Sequence, residues 1–133
     1  MEPAEELDQL ARSVLDAAMD VHRHLGPGFL EKVYEEALCA ELSLRGIPFK
    51  RQQSFSVVYK GRPVDEARLD LLVAGALFVD VESVSDLAPI HTAQVLSYLK
   101  TTQQHLGLLI NFNVPLLREG IKRVILTPGQ ECG

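Results

Sequence analysis

A short alternating pattern near the middle of the chain constrains the fold most. Apolar and charged side chains alternate along residues 68–73 and again along residues 77–82, with Ala74-Gly75-Ala76 between them. Because successive side chains of a strand point to opposite faces, each segment is predicted to be a strand with one apolar face. That apolar face is predicted to carry Leu69, Leu71, Val73, Leu77, Val79 and Val81.

Folding this hairpin about Gly75 brings charged side chains face to face. Residues whose numbers add up to 150 then stand opposite each other, so Asp70 faces Asp80 and Arg68 faces Glu82. Directly opposed Cβ atoms in an antiparallel pair lie about 4.5–5.5 Å apart, and like charges there are unfavourable unless a cation or a proton lies between them. A sheet does not need this arrangement, so it indicates a functional site.

Asp70, Asp80 and Glu82 together form a candidate metal site, since Asp80 and Glu82 are two residues apart and share a face. Mg²⁺ takes oxygen ligands and often needs only one or two carboxylates besides water and substrate phosphate. The alternative is a pair of edge acids in solvent, with Arg68 and Glu82 as a surface ion pair that contributes little. The shared acidic face opposite an apolar one favours the metal site.

The rest of the chain predicts an α/β fold. Apolar spacing predicts helices over residues 5–25, 29–45 and 90–103, and strands over 49–59, 106–112 and 121–126. Gly26-Pro27-Gly28 ends the first helix. With the hairpin, the order is ααβββαββ, and the late strand–helix–strand unit permits a right-handed crossover. We expect one domain over residues 1–133, a mixed sheet flanked by helices, with a flexible tail at 127–133.

Composition narrows the class of protein. The 133 residues carry 18 acids and 13 bases, a net charge of −5, so a nucleic-acid partner needs a local basic patch or metal ions that offset the acids. The sequence has no apolar run of membrane-spanning length and no signal peptide, so we expect a cytoplasmic protein. Of the two cysteines, Cys39 is predicted to lie in the core and Cys132 in the tail. The sequence leaves open whether the protein forms a homo-oligomer or binds a protein partner.

Two helical segments add polar candidates. His91, Gln94 and Tyr98 are spaced to form one stripe on the third helix, where Gln94 and Tyr98 could orient a phosphate or a water. Glu31 and Tyr34 lie one turn apart at the start of the second helix. Each also has an ordinary explanation. The stripe on the third helix can be the polar side of an amphipathic helix, and Glu31 can complement the helix dipole. Tyr34 can pack with its ring and keep its hydroxyl in water.

Together these segments resemble the small bacterial proteins named for the GxxExxY motif, in the PD-(D/E)XK nuclease superfamily. The resemblance spans residues 21–124 and is carried by Val21-His22-Arg23, Leu25-Gly26-Pro27-Gly28, Glu31, Tyr34, Arg68, Asp70, Pro89, His91, Gln94, Tyr98-Leu99-Lys100, residues 108–112 and Val114-Pro115. It implies a RecB-like, restriction-endonuclease-like core, a Mg²⁺ or Mn²⁺ cofactor, and DNA or RNA as substrate. It would make Asp70 the first metal-binding acid and Asp80 the (D/E) position. Glu31 would be an accessory acid, and Gln94 and Tyr98 the QxxxY motif.

One position departs from that family. Glu82 stands where the family has a lysine that helps to place the attacking water, although some restriction endonucleases of the superfamily work with glutamate there. Lys100 is the nearest substitute in sequence, but the helical period turns it roughly to the far side of its helix from Gln94 and Tyr98. Two hypotheses follow: a metal-dependent nuclease with Glu82 as a further ligand or as a base for the water, or a degenerate member that acts as a binding or regulatory module.

Overall fold

The computed structural model describes residues 4–127, and the predicted tail beyond Thr127, with Cys132, lies outside this range. The elements are α1 (Ala4–Leu25), α2 (Glu31–Leu44), β1 (Phe49–Tyr59), β2 (Arg62–Val73), β3 (Leu77–Glu82), α3 (Pro89–Thr102), β4 (Leu106–Asn111), a 3₁₀ turn (Leu117–Gly120) and β5 (Ile121–Ile125). The predicted order ααβββαββ is confirmed.

The five strands form one mixed sheet in the order β1-β2-β3-β4-β5. Only β3 and β4 are parallel, and α3 connects them, whereas every other neighbouring pair is antiparallel. This is the predicted α/β architecture, consistent with a restriction-endonuclease-like core. Because β3 and β4 are parallel, their carboxyl ends, at Glu82 and Asn111, meet at the same edge of the sheet.

Helices cover both faces of the sheet. Helices α1 and α2 pack on one face in a cluster that includes Val14, Ala18, Tyr34, Leu38, Cys39, Leu71, Val73, Val79, Val81, Leu108 and Ile110. Helix α3 packs on the other face in a second cluster of Leu69, Phe78, Val95, Leu99, Leu109, Val124 and Leu126. Asp80 and Glu82 have the same parity along β3 as Phe78, so the acids lie on the face that α3 covers.

The prediction that Leu69 shares the apolar face of Leu71 is wrong. The register of β1 with β2 passes from Arg51 opposite Leu71 to Gln53 opposite Leu69, and Gln52 between them adopts φ of 49°. The register does not shift here, but Gln52 and Asp70 form no ladder pair, and the alternation breaks at this level: Leu69 packs with the α3 cluster while Leu71 stays under α1 and α2. The other five predicted apolar residues share one face as expected.

Several boundaries also differ from the prediction. Strand β2 begins at Arg62 instead of residue 68, which leaves Lys60 and Gly61 as the turn. Pro63 joins the strand because β3 pairs with β2 only along residues 71–73, so the proline breaks no ladder on that side. Within residues 4–127, no helix has the length and apolar character that crossing a membrane requires.

Candidate active site

Strands β2 and β3 separate where their acids begin. The predicted register is confirmed for Leu71 opposite Val79 and for the two pairs that follow it toward the turn. Beyond Leu71 the Asp70 carboxylate accepts a hydrogen bond of 2.8 Å from the backbone N–H of Val81. A side-chain acceptor thus replaces the strand-to-strand bond, and it anchors Asp70 next to Asp80.

Asp80 is the most perturbed acid of the site. Its side chain is half-buried, and its Oδ2 atom has no hydrogen-bond partner among the described residues. Burial raises the pKa of Asp80 far above its usual range, and the neighbouring carboxylates of Asp70 and Glu82 raise it further. A buried oxygen without a partner, beside two other acids, is costly unless a proton or a cation satisfies it.

Glu82 faces a histidine instead of Arg68. Its Oε1 atom lies 4.0 Å from Nε2 of His91, while Nδ1 of that ring accepts the backbone N–H of Ala88 at 2.8 Å. The bond at Nδ1 places the proton of the neutral ring on Nε2, the atom that points at Glu82. His91 is therefore a neighbour of the site that the sequence placed on the α3 stripe without giving it a role.

The predicted pairing of Arg68 with Glu82 is wrong. Arg68 is exposed and stands opposite Ser54 of β1, and it has no ion-pair partner within residues 4–127. The reason is the early end of the β2–β3 ladder, since the two strands have already separated at this level. A structural ion pair therefore does not occupy this part of the site.

Glu31 shares the electrostatic environment of the hairpin acids. Partial burial, followed by the charges of Glu82, Asp70 and Glu35, raises its pKa to about 7. Glu35 itself is buried and is held by Arg51 at 3.2 Å and by the side-chain amide of Gln52 at 3.1 Å. The sequence did not single out Glu35, because a glutamate on an apolar helix gives no signal before its partners are known.

A tyrosine and a serine hold the loop that presents Glu31. The hydroxyl of Tyr34 donates to the carbonyl of Gly26 at 2.5 Å and accepts the N–H of Phe29 at 3.1 Å. Its ring is fully buried and stacks on Phe112 with centroids 4.7 Å apart. The Ser83 hydroxyl, directly after β3, donates to the carbonyl of Phe29 at 2.6 Å. The expectation of a hydroxyl in water is wrong, because the loop backbone satisfies it.

We expect Tyr34→Phe to lower the free energy of unfolding by about 1–3 kcal/mol, because it removes two hydrogen bonds to part-buried backbone groups, each worth about 0.5–1.5 kcal/mol. Urea denaturation followed by circular dichroism measures this change. Tyr59→Phe is the matched control, since Tyr59 is 62% exposed and should stay within about 0.5 kcal/mol of the wild type. Equal stability of the two variants would contradict the structural role of the Tyr34 hydroxyl.

Gln94 and Tyr98 form a pair on the exposed side of α3. The amide of Gln94 donates to the Tyr98 hydroxyl at 2.9 Å, and the Tyr98 ring contacts Phe55 of β1 edge-on, with centroids 5.0 Å apart. Among the described residues, no hydrogen bond links this pair to the acids. The structure thus brings Glu31, Asp70, Asp80 and Glu82 into one neighbourhood and leaves Gln94 and Tyr98 on the adjoining helix.

The acids suit a hard divalent cation with few protein ligands. Asp70 and Asp80 offer carboxylate oxygens where β2 and β3 separate, and Oδ2 of Asp80 has no hydrogen-bond partner among the described residues. Within residues 4–127, no group of three or more His, Cys, Asp or Glu side chains is arranged to hold a metal. Mg²⁺ is commonly bound by one or two carboxylates with water and substrate phosphate, so the pair of aspartates fits it.

Comparison with known proteins points to one family. A family model described as the PD-(D/E)XK nuclease superfamily matches residues 8–124. That range includes all six predicted site residues: Glu31, Asp70, Asp80, Glu82, Gln94 and Tyr98. No curated protein and no solved structure gives a match.

Proposed function

The chain belongs to the PD-(D/E)XK nuclease superfamily, and from that premise we propose that it is a divalent-metal-dependent nuclease that hydrolyses phosphodiester bonds. The observation that carries the proposal is the buried, partnerless Oδ2 of Asp80 between two further acids. A proton neutralises such a group when no cation is present, and a divalent cation replaces that proton at neutral pH.

The proposed roles follow from position. Asp70 and Asp80 would hold Mg²⁺ or Mn²⁺, which when bound activates water and stabilises charge on the phosphodiester. Glu82 is a further ligand or the base for the attacking water, and His91 Nε2 lies 4.0 Å from its carboxylate. Glu31 is an accessory acid that a pKa of about 7 keeps partly protonated near neutrality.

Substrate positioning is proposed for the exposed side of α3. Gln94 is exposed and its side chain is held by Tyr98, so its remaining amide groups are available to a phosphate or a water. DNA or RNA would reach the acids past these two residues. The cytoplasmic location and the choice between Mg²⁺ and Mn²⁺ stay predictions.

A catalytically degenerate binding or regulatory module is the second candidate function. Two observations favour it: an acid, Glu82, stands at the lysine position, and the described residues contain no set of three metal-binding side chains. Lys100 is half-buried on α3 and has no ion pair or hydrogen bond with the acids of residues 4–127. In this case the protein would bind nucleic acid or a protein partner without cutting.

Asp70→Asn tests the proposed nuclease. The asparagine oxygen can still accept the N–H of Val81, so the fold is retained while one carboxylate is lost. We expect the wild type to bind Mn²⁺ in isothermal titration calorimetry and to cut single- or double-stranded DNA or RNA. Because outer-shell changes alone cost 10–100-fold, loss of this ligand should reduce cleavage by at least about 100-fold.

Asp16→Asn is the matched control, because Asp16 is an exposed acid on α1 and should leave cleavage unchanged. A folded wild-type protein that releases no heat with Mn²⁺ or Mg²⁺ and cuts none of these substrates would refute the proposed nuclease. Nucleic-acid binding without cleavage, equal in the wild type and in Asp70→Asn, would instead support the binding module.

A further inference from the structure

Strands β1 and β2 continue beyond the sheet as a two-stranded ribbon, residues 53–69. Strand β3 pairs with β2 only along residues 71–73, so no third strand of the described chain joins the ribbon. Phe55 and Leu69 pack on the α3 side at its base, whereas residues 58–66 are all exposed. Burial in the described protein therefore does not explain why the outer half of the ribbon exists.

The tip of the ribbon is a tight turn with an aromatic residue and two cations. Lys60 and Gly61 adopt φ of 50° and 80°, and Tyr59 stands opposite Arg62 as the last pair of the ladder. The Lys60 ammonium lies 5.4 Å from the centroid of the Tyr59 ring. Positive φ at a lysine is uncommon, and the turn places Lys60 at the outermost point of the ribbon.

The cations of the ribbon form no ion pair within residues 4–127, unlike most arginines elsewhere in that range. Among the described residues, Lys60, Arg62 and Arg68 have no acidic partner, whereas Arg23, Arg45, Arg51 and Arg123 each form an ion pair. Residues 54–64 contain no Asp or Glu, and the two acids of the ribbon, Asp65 and Glu66, follow that stretch. Positive charge is thus confined to the outermost turn, at Lys60 and Arg62, whereas residues 58–66 together carry as many acids as cations.

The ribbon adjoins the proposed substrate path. Phe55 at its base contacts Tyr98, which holds Gln94 on the exposed side of α3. Arg62 is eight residues from Asp70 along β2, about 26 Å at 3.3 Å per residue. This length corresponds to about eight base pairs at 3.4 Å each. A duplex seated at the acids and extending along β2 for about eight base pairs therefore reaches the tip.

We propose that the ribbon is a DNA-contacting arm, in which Lys60 and Arg62 bind backbone phosphates of duplex DNA beside the cleavage site. A two-stranded ribbon fits the major groove of B-DNA, about 12 Å wide, whereas the major groove of A-form RNA is too narrow for it. Lysine and arginine supply sequence-independent phosphate contacts, and Tyr59 offers a ring beside them. The inference rests on the proposed function only for the location of the substrate.

Equilibrium binding in EDTA tests the arm without any cleavage. The probe is a fluorescent duplex DNA of about 30 base pairs, titrated with the full chain at several salt concentrations. We expect Lys60→Ala/Arg62→Ala to make the negative slope of log K against log salt shallower by about two, and to lower the affinity by about tenfold. Arg12→Ala/Arg118→Ala removes two exposed cations from elsewhere and should change neither quantity.

Three outcomes would overturn the arm: no binding of duplex DNA by the wild type at about 50 mM salt, equal effects of the two double variants, or equal loss on a duplex RNA of the same length. A change from dimer to monomer in sedimentation of the Lys60→Ala/Arg62→Ala protein would assign the tip to a second copy of the chain instead. Because cleavage is assayed separately on the wild type, failure of the arm and failure of the proposed nuclease are distinguishable.

Discussion

Asp80→Asn is expected to make the metal-free protein more stable at pH 8 and to flatten the pH dependence of its unfolding. The folded state raises the pKa of Asp80 far above that of the unfolded chain, so the folded protein binds one proton more over the intervening pH range. The free energy of unfolding therefore falls as pH rises above about 4, by at most about 1.4 kcal/mol per pH unit. Asparagine carries no charge and removes this loss, so we expect a gain of at least about 2 kcal/mol at pH 8.

Urea denaturation in EDTA at pH 5 and pH 8 measures both proteins. Glu31, with a pKa of about 7, contributes a smaller dependence of the same sign, and the variant should keep it. Asp16→Asn, on the exposed side of α1, is the control for loss of one negative charge. If Asp80→Asn is no more stable than the wild type at pH 8, the Asp80 carboxyl does not destabilise the folded protein at that pH.

Metal binding should reverse the order of the two proteins. We expect Mn²⁺ or Mg²⁺ to bind the folded state of the wild type and to raise its melting temperature at pH 8, by an amount set by the ratio of ion concentration to dissociation constant. Asp80→Asn loses the free Oδ2 ligand and should not respond. An equal shift in both proteins would place the ion away from Asp80.

The sequence predicted the sheet because its local patterns agree with one another. Alternation along residues 77–82 and the position of Gly75 suffice to align Leu71 with Val79 and Val73 with Leu77. The buried run at 106–111 has no polar residue before Asn111, which identifies a central strand. These features depend on residues close in the chain, and they need no knowledge of distant contacts.

The errors arose where a side chain replaces a backbone partner. Asp70 accepts the N–H of Val81, which ends the β2–β3 ladder and separates Arg68 from Glu82. At the same level Gln52 adopts a positive φ and forms no ladder pair with Asp70, and the alternation along β2 breaks between Leu69 and Leu71. Neither event leaves a mark in hydrophobic periodicity, because glutamine and aspartate are ordinary residues on an exposed strand.

The sequence also did not predict the contacts that hold the residues around the site. His91 faces Glu82 only because the Ala88 N–H holds its Nδ1, and Tyr34 supports the Glu31 loop through two bonds to backbone atoms. Spacing placed both residues on their helices and could not supply the backbone atoms that they bind. Sequence reasoning thus predicted which acids lie together, and it missed the contacts made by the residues around them.

Gly120→Ala is expected to be the most destabilising small substitution near the site. A Cβ atom at Gly120 would lie 2.1 Å from the carbonyl oxygen of Asn111 and 3.2 Å from Cγ2 of Val114. Asn111 is almost fully buried, and its side chain accepts the N–H of Val84 at 3.0 Å and donates to the Val84 carbonyl at 2.9 Å. Backbone must therefore move, at an expected cost of about 3 kcal/mol or more, a large share of a typical free energy of unfolding of about 5–15 kcal/mol.

Gly107→Ala provides the matched comparison. Its Cβ would lie 2.7 Å from Cγ1 of Val95, a buried side chain instead of a backbone atom, and 3.5 Å from the Cβ of Phe78. We expect this variant to lose only about 1–2 kcal/mol in the same urea denaturation. The hydrogen bonds of the Asn111 side chain to Val84 also hold the segment that leads from β3 into α3. We therefore expect Gly120→Ala to lower cleavage at temperatures where it remains folded, and Gly107→Ala to leave cleavage unchanged. If Gly120→Ala lowers the free energy of unfolding less than Gly107→Ala does, the 3₁₀ turn accommodates the Cβ without displacing Asn111. The hydrogen bonds of Asn111 to Val84 would then not influence the site.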